Sequence, residues 1–177
     1  MGTGLIMGII IAIIGVVFFF IIKKGKKDRK DEGGVSLHPT AEEMINYTPT
    51  PSNLTIFETE FYNLLNEHRL SINVLIVETD TYSRYLCIEH NKYMIERDSL
   101  NHDNAFRRNF ELERRGVKAT DEIVARNYTK AQTFLNGYLN SPSHKAAIEN
   151  PEFSHVGIKF TKNDKGEYYN TCLFSKF

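Results

Sequence analysis

A chain of 177 residues, 41% hydrophobic and 12% aromatic, is sized for one globular core with appendages, which excludes a wholly disordered chain and a multidomain enzyme. Lysine and arginine balance aspartate and glutamate at 22 each, so no whole-molecule field draws in DNA, RNA or another polyanion, and nucleic acid is not an expected partner. Two cysteines, Cys87 and Cys172, build neither a disulfide framework nor a CxxC metal knuckle; one bridge between them is left open and requires an oxidising compartment.

The chain opens with an uncharged apolar run. Residues 4–22 read Leu-Ile-Met, Ile-Ile-Ile-Ala-Ile-Ile and Val-Val-Phe-Phe-Phe-Ile-Ile, broken only by glycines, and at about 1.5 Å per helical residue they cross the hydrocarbon core of a bilayer. Residues 1–22 are therefore read as a single transmembrane helix. A cleavable signal peptide carries its positive charge before the apolar run and small residues at a cleavage site after it, and neither is written here. A buried core helix of that length needs polar relief that this run lacks. Lys23, Lys24, Lys26, Lys27, Arg29 and Lys30 follow at once, and the positive-inside rule then leaves the following domain in the cytoplasm.

Residues 23–51 form a basic juxtamembrane and polar linker, rich in Gly, Pro, Ser and Thr, with one helical turn expected over 41–46. Residues 52–177 make the folded domain. Phe57, Phe61, Leu64 and Leu65, flanked by Glu58, Glu60, Asn63 and Glu67, predict a first helix with one apolar stripe. Val74–Val77 is a strand or a buried connection, between which periodicity does not choose. Asp80 caps a second helix carrying Tyr82, Leu86, His90 and Met94 on one face. A third helix is expected over 105–115, with Phe106 and Phe110 as its apolar face, Asp103 as a cap and Gly116 as its stop. A fourth covers 130–139 and breaks at Ser141-Pro142.

The period then changes from helical to alternating. Val156, Ile158 and Phe160 predict a strand, Asn163-Asp164-Lys165-Gly166 a turn, and Tyr169, Thr171 and Leu173 the returning strand. Helices followed by a hairpin define an α+β domain.

Several short motifs, in order, carry a resemblance. They are Asn66-Glu67-His68-Arg69, Cys87-Ile88-Glu89-His90 followed by Tyr93-Met94, Asn101-His102-Asp103, Phe106-Arg107-Arg108, Arg114-Arg115-Gly116 and Asp121-Glu122-Ile123. After them come Tyr138-Leu139-Asn140-Ser141-Pro142-Ser143-His144-Lys145, Asn150-Pro151 through Val156-Gly157-Ile158, and Tyr169-Asn170-Thr171-Cys172-Leu173-Phe174. Their sequence over 57–174 resembles the bacterial CAP, or SCP-like, domains (cysteine-rich secretory protein, antigen 5, pathogenesis-related 1). The resemblance implies an α-β-α sandwich with a central antiparallel sheet and a shallow cleft lined by histidine and glutamate. It also implies an extracytoplasmic domain, against the charge rule, so the membrane side stays open.

By the same resemblance the cleft residues are His102, Glu122 and His144. Two imidazoles and a carboxylate suit a divalent metal such as zinc, and the same trio suits proton transfer. Each also has a plainer reading: His102 with Asp103 as a helix cap, His144 as closing the turn at a helix start after Ser-Pro-Ser, Glu122 as a charged strand edge. His90, on the inward stripe, is read as a hydrogen-bonded core histidine, while His38, His68 and His155 are read as surface residues. The chain departs from the family pattern at Ile123, Tyr138, Ser143 and Cys172, and Gln132 and Thr133 stand where the family carries glutamates. Three functions follow as expectations. The first is a membrane-tethered binding module for a lipid, cell-wall or protein ligand, the second a metal-assisted hydrolase with Glu122 as general base, and the third a scaffold with a vestigial cleft. No serine or cysteine nucleophile motif is present for a covalent route.

Overall fold

The structure, a computed structural model, describes residues 54–177. The expected anchor over 1–22 and linker over 23–51 lie outside the described residues, and among the described residues no helix is long and apolar enough to cross a membrane.

Helix α1, Ile56–Ser71, starts in a capping box: Thr55 Oγ1 accepts from the Glu58 amide while a Glu58 carboxylate oxygen accepts from the Thr55 amide. Phe61 and Leu65 face the core as the periodicity predicts. At its end, Asn66 behaves as a piece of strand, accepting from the Val77 amide at 2.9 Å and donating to the Val77 carbonyl at 3.1 Å. Arg69, wholly buried, donates to the carbonyls of Leu75, Ile148, Asn150 and Phe153. Together these two side chains hold the connection over 72–77, which is neither helix nor strand until β1, Glu78–Thr79.

Helix α2, Thr81–Glu96, begins where expected, with an Asp80 carboxylate oxygen accepting from the Ser83 amide at 2.6 Å. Helix α3 is Ala105–Glu113, and Gly116 follows it with φ +91°, the left-handed conformation that favours glycine. Its N-cap is Asn104 in a left-handed conformation, φ 61°, and not Asp103, whose carboxylate instead accepts from the Tyr93 hydroxyl at 3.0 Å. Strand β2, Ala119–Arg126, is followed by α4, Ala131–Leu139, and α5, Pro142–Glu149. Helix α5 begins where the sequence places His144 at a helix start, just after the break: Pro142 takes the first helical position, where a missing N–H costs nothing. Strands β3, His155–Lys162, and β4, Tyr168–Lys176, close the chain as a hairpin.

The four strands lie in the order β1-β3-β4-β2. The β2–β4 and β3–β4 pairs are antiparallel, with Glu122 opposite Leu173 and Ile158 opposite Cys172. The β1–β3 pair is parallel, so the sheet is mixed and not purely antiparallel as the resemblance implies. The physical reason is the crossover: α2 and everything after it separate β1 from β3, a connection long enough for a parallel return.

Strand alternation sorts the core into two layers. Ile123, Ala125, Val156, Ile158, Phe160, Cys172 and Phe174 pack with α1, α4 and α5 on one face. Leu173 packs with Tyr82, Leu86 and Cys87 of α2, and Leu112 of α3, on the other. The α-β-α sandwich therefore holds. Gly157 makes it tight, since a Cβ there would overlap the backbone of Ser83 and Arg84. Cys87 and Cys172 are both free and buried on opposite faces of the sheet, and the parity of β4 keeps their thiols apart.

Candidate functional site

Glu122 occupies an even position of β2, so its side chain points to the face covered by α2 and α3, in line with Val124 and opposite to Ile123. A carboxylate buried there needs partners, and the helices supply them. Arg108, from α3, grips it in a two-pronged ion pair, Nε to one oxygen at 2.6 Å and Nη2 to the other at 2.7 Å. The remaining Arg108 nitrogen donates to the Asp103 carbonyl at 2.8 Å, fixing the loop that leads into α3. That loop delivers His102, whose Nδ1 lies 2.9 Å from Glu122 Oε1. His90 stands 3.7 Å from the same oxygen, its Nε2–H donating to the Asn101 carbonyl at 2.9 Å. Although burial alone would push the Glu122 carboxyl up, His102, Arg108 and His90 overrule it and hold the pKa at about 2.

His144 enters from the other layer. It is the third residue of α5, buried edge-on against the Tyr138 ring, with Nδ1 lacking a hydrogen-bond partner. Burial, with a smaller contribution from the nearby His102, lowers its pKa to about 4, so the ring is neutral at neutral pH. The two histidines thus approach one another around β2, the outer strand at that side of the sheet. Asp121, at an odd position of β2, belongs to this same edge. Burial raises its carboxyl to about 6, with His102 pulling the other way.

The three residues singled out in the sequence are therefore brought to one strand edge, but in unequal roles. His102 touches Glu122, and His144 reaches His102 only through its field. Arg108, quoted in the resemblance but given no role, turns out to be the central partner; its place four residues before Leu112, on the face opposite the phenylalanines, was the available signal. As a metal site the trio does not fit. Both Glu122 oxygens are already held by a guanidinium, and a divalent cation on that carboxylate would sit beside a fixed positive charge. Among the described residues no group of three or more His, Cys, Asp or Glu side chains is arranged to hold a metal ion. As a base Glu122 fares no better, since a carboxylate held near 2 takes up protons poorly at neutral pH. The edge does offer the neutral imidazole of His144, the ring of His102 and a half-buried carboxyl, which suit hydrogen bonding to a polar group.

Fold and edge together define a CAP-type domain: two helical layers on a mixed sheet, with His102 from a loop on one side and His144 from a helix on the other near enough to one outer strand to feel one another's charge. The chain belongs to the cysteine-rich secretory protein (CAP) family, whose model matches residues 62–174. It is 21% identical over 146 residues to the uncharacterized protein YkwD of Bacillus subtilis, covering 80% of this chain and 57% of that protein's length. Among solved structures it is similar to an outer surface protein from Borrelia burgdorferi, with a TM-score of 0.61 at 24% identity, covering 66% of this chain and 90% of that one. It is also similar to an extracellular protein containing an SCP domain from Bacillus anthracis, with a TM-score of 0.59 at 18% identity, covering 80% of this chain and 45% of that one. These likenesses establish the fold.

Proposed function

We propose that this chain is a membrane-tethered, extracytoplasmic CAP domain that works as a binding module, without catalysis. It would hold an uncharged polar group of a lipid, cell-wall or protein ligand at the outer edge of β2, between His102 and His144. The observation that carries this reading is the Arg108–Glu122 pair, which commits the one strand carboxylate of the expected trio to an internal ion pair. His144, neutral and with an unpartnered Nδ1, is suited to a hydroxyl or amide and unsuited to gripping an anion. The tether rests on the apolar run over 1–22. The outer side rests on the fold relatives described as an extracellular protein and an outer surface protein, against the basic cluster after residue 22, which favours the inside.

Soluble cell-wall fragments titrated against the full chain, read by thermal shift, test the binding reading. Stabilisation that vanishes in the double variant His102→Ala with His144→Ala is expected, because a ligand of the folded state raises its stability by mass action. Turnover of such a fragment that Glu122→Gln abolishes would replace binding by hydrolysis. Zinc is expected to give no stabilisation that depends on Glu122.

A further inference from the structure

Helix α3 carries its two phenylalanines on the side that the sequence alone assigns to the core, yet the structure turns them outward. Phe106 is 76% exposed and Phe110 49% exposed, while Arg108 and Leu112 are the buried residues of the helix. Phe106, Phe110 and Arg114 fall four residues apart and so form one ridge along the outer surface. Arg107 flanks that ridge, and Arg115 and Lys118 follow it, all exposed. Opposing them are the exposed carboxylates of Glu113 and Asp103, the latter already accepting from Tyr93, and the partly buried Glu111 near Arg107, so the four cations keep a small excess. The Arg115 guanidinium lies over the Tyr82 ring, 3.5 Å from its centroid.

We propose that this face of α3 docks the domain onto an anionic bilayer. Aromatic rings beside arginines match the boundary between acyl chains and negative headgroups: the rings enter the apolar side and the cations stay with the phosphates. A second exposed apolar patch, Leu70, Ile72, Leu75 and Ile76, lies on the β1 side of the sheet. Its charged neighbours are Glu67 and Glu78, which an anionic surface repels, and the Lys145–Glu149 pair, which carries no net charge. Charge complementarity thus selects α3 over the larger aliphatic patch. The docking rests on the tethered reading for proximity alone: the 31 residues over 23–53 span at most roughly 110 Å, so a domain anchored at residue 22 stays near the bilayer.

The chain has no tryptophan, so Phe106→Trp introduces a lone fluorescent reporter on the ridge and Leu75→Trp one on the rival patch. Each full-length variant is reconstituted with vesicles of phosphatidylcholine alone, or with phosphatidylglycerol in equal parts, both containing nitroxide-labelled lipid, and flotation is scored separately. The indole of Phe106→Trp is expected to shift to the blue and be quenched in the anionic vesicles only, and high salt should reverse it. Adding Arg107→Ala and Arg114→Ala should lower the docked-to-undocked ratio about 25-fold, since each cation near such a surface contributes about fivefold. Vesicles that float with the protein while that indole stays unquenched would overturn the docking and leave the tether standing. Protein that fails to float overturns the tether instead, and added anionic vesicles then read the docking alone. Quenching at the Leu75→Trp indole with none at position 106 overturns the proposal, as does burial of the ridge that follows protein concentration without lipid, the sign of a second copy.

Discussion

Glu122 is held by three cationic or imidazole side chains drawn from two helices and a loop, and removing the strongest of them exposes what the others are worth. Arg108→Ala leaves a buried carboxylate without its ion-pair partner, which typically costs about 3–5 kcal/mol; urea unfolding at neutral pH checks it. The low Glu122 pKa gives the sign of the acid response. A carboxyl held at about 2, against an ordinary 4.5, contributes stability that is present above 4.5 and lost as pH falls toward 2. Glu122→Gln should abolish that part of the acid limb. His144 and Asp121 act in opposite senses over overlapping ranges. A neutral imidazole with a pKa of about 4, against 6.5, loses stability as pH falls from 6.5 to 4. A carboxyl raised to about 6, against 3.8, loses it as pH rises from 3.8 to 6. The two therefore offset one another between pH 4 and 6, so stability should rise more steeply with pH in Asp121→Asn than in the native chain and less steeply in His144→Gln, as melting temperature across that range will show. The histidines and Glu122 can be placed in the sequence by motif order, but their partners cannot. Glu58 reads as solvent-side decoration on an amphipathic helix and is 0% exposed, because its demand for Arg84, Lys159 and the Phe160 amide arises from residues distant along the chain.

At the scale of elements, periodicity places α1, α2 and α4 and the β3–β4 hairpin, since each buries a regular apolar stripe. It misreads α3 because the stripe is real but faces out: the Arg108–Glu122 pair orients the helix and Leu112 supplies its buried apolar contact. It marks the start of α5 but not its extent, because the inward row, His144, Ala147 and Ile148, includes a histidine and a small residue and so does not look apolar. The parallel β1 is illegible for a plainer reason, being two residues long and held in place by the side chains of Asn66 and Arg69. Arg69→Met removes the donors to four carbonyls at once and is expected to cost about 3–5 kcal/mol, measured by chemical denaturation. Gly157→Ala wedges a methyl group between β3 and α2; overpacking of this kind costs about 1–3 kcal/mol or more, and here the obstacle is backbone, so the upper end is expected in thermal melts.

The molecule as a whole is a sandwich whose two thiols lie on opposite sides of its sheet, and burial pushes both far from reactivity. Reducing agent should leave the melting temperature unchanged, and both thiols should label only after denaturation, on whichever side of a membrane a tethered domain would lie. Protease added to intact cells decides that side: loss of the domain with the bilayer sealed places it outside. On the tethered reading, the short first strand bears on how many copies could share a membrane. Strand β1 covers only His155 and Val156 of β3, and beyond it the Ile158 carbonyl is taken by Arg84 and the Phe160 amide by Glu58. Those two charged side chains, paired with each other, stand in for the missing length of strand. Molecules confined to a surface collide far more often than molecules in bulk, and an unsealed flank would template chain-to-chain growth. The buried ion pair denies such neighbours a place to add.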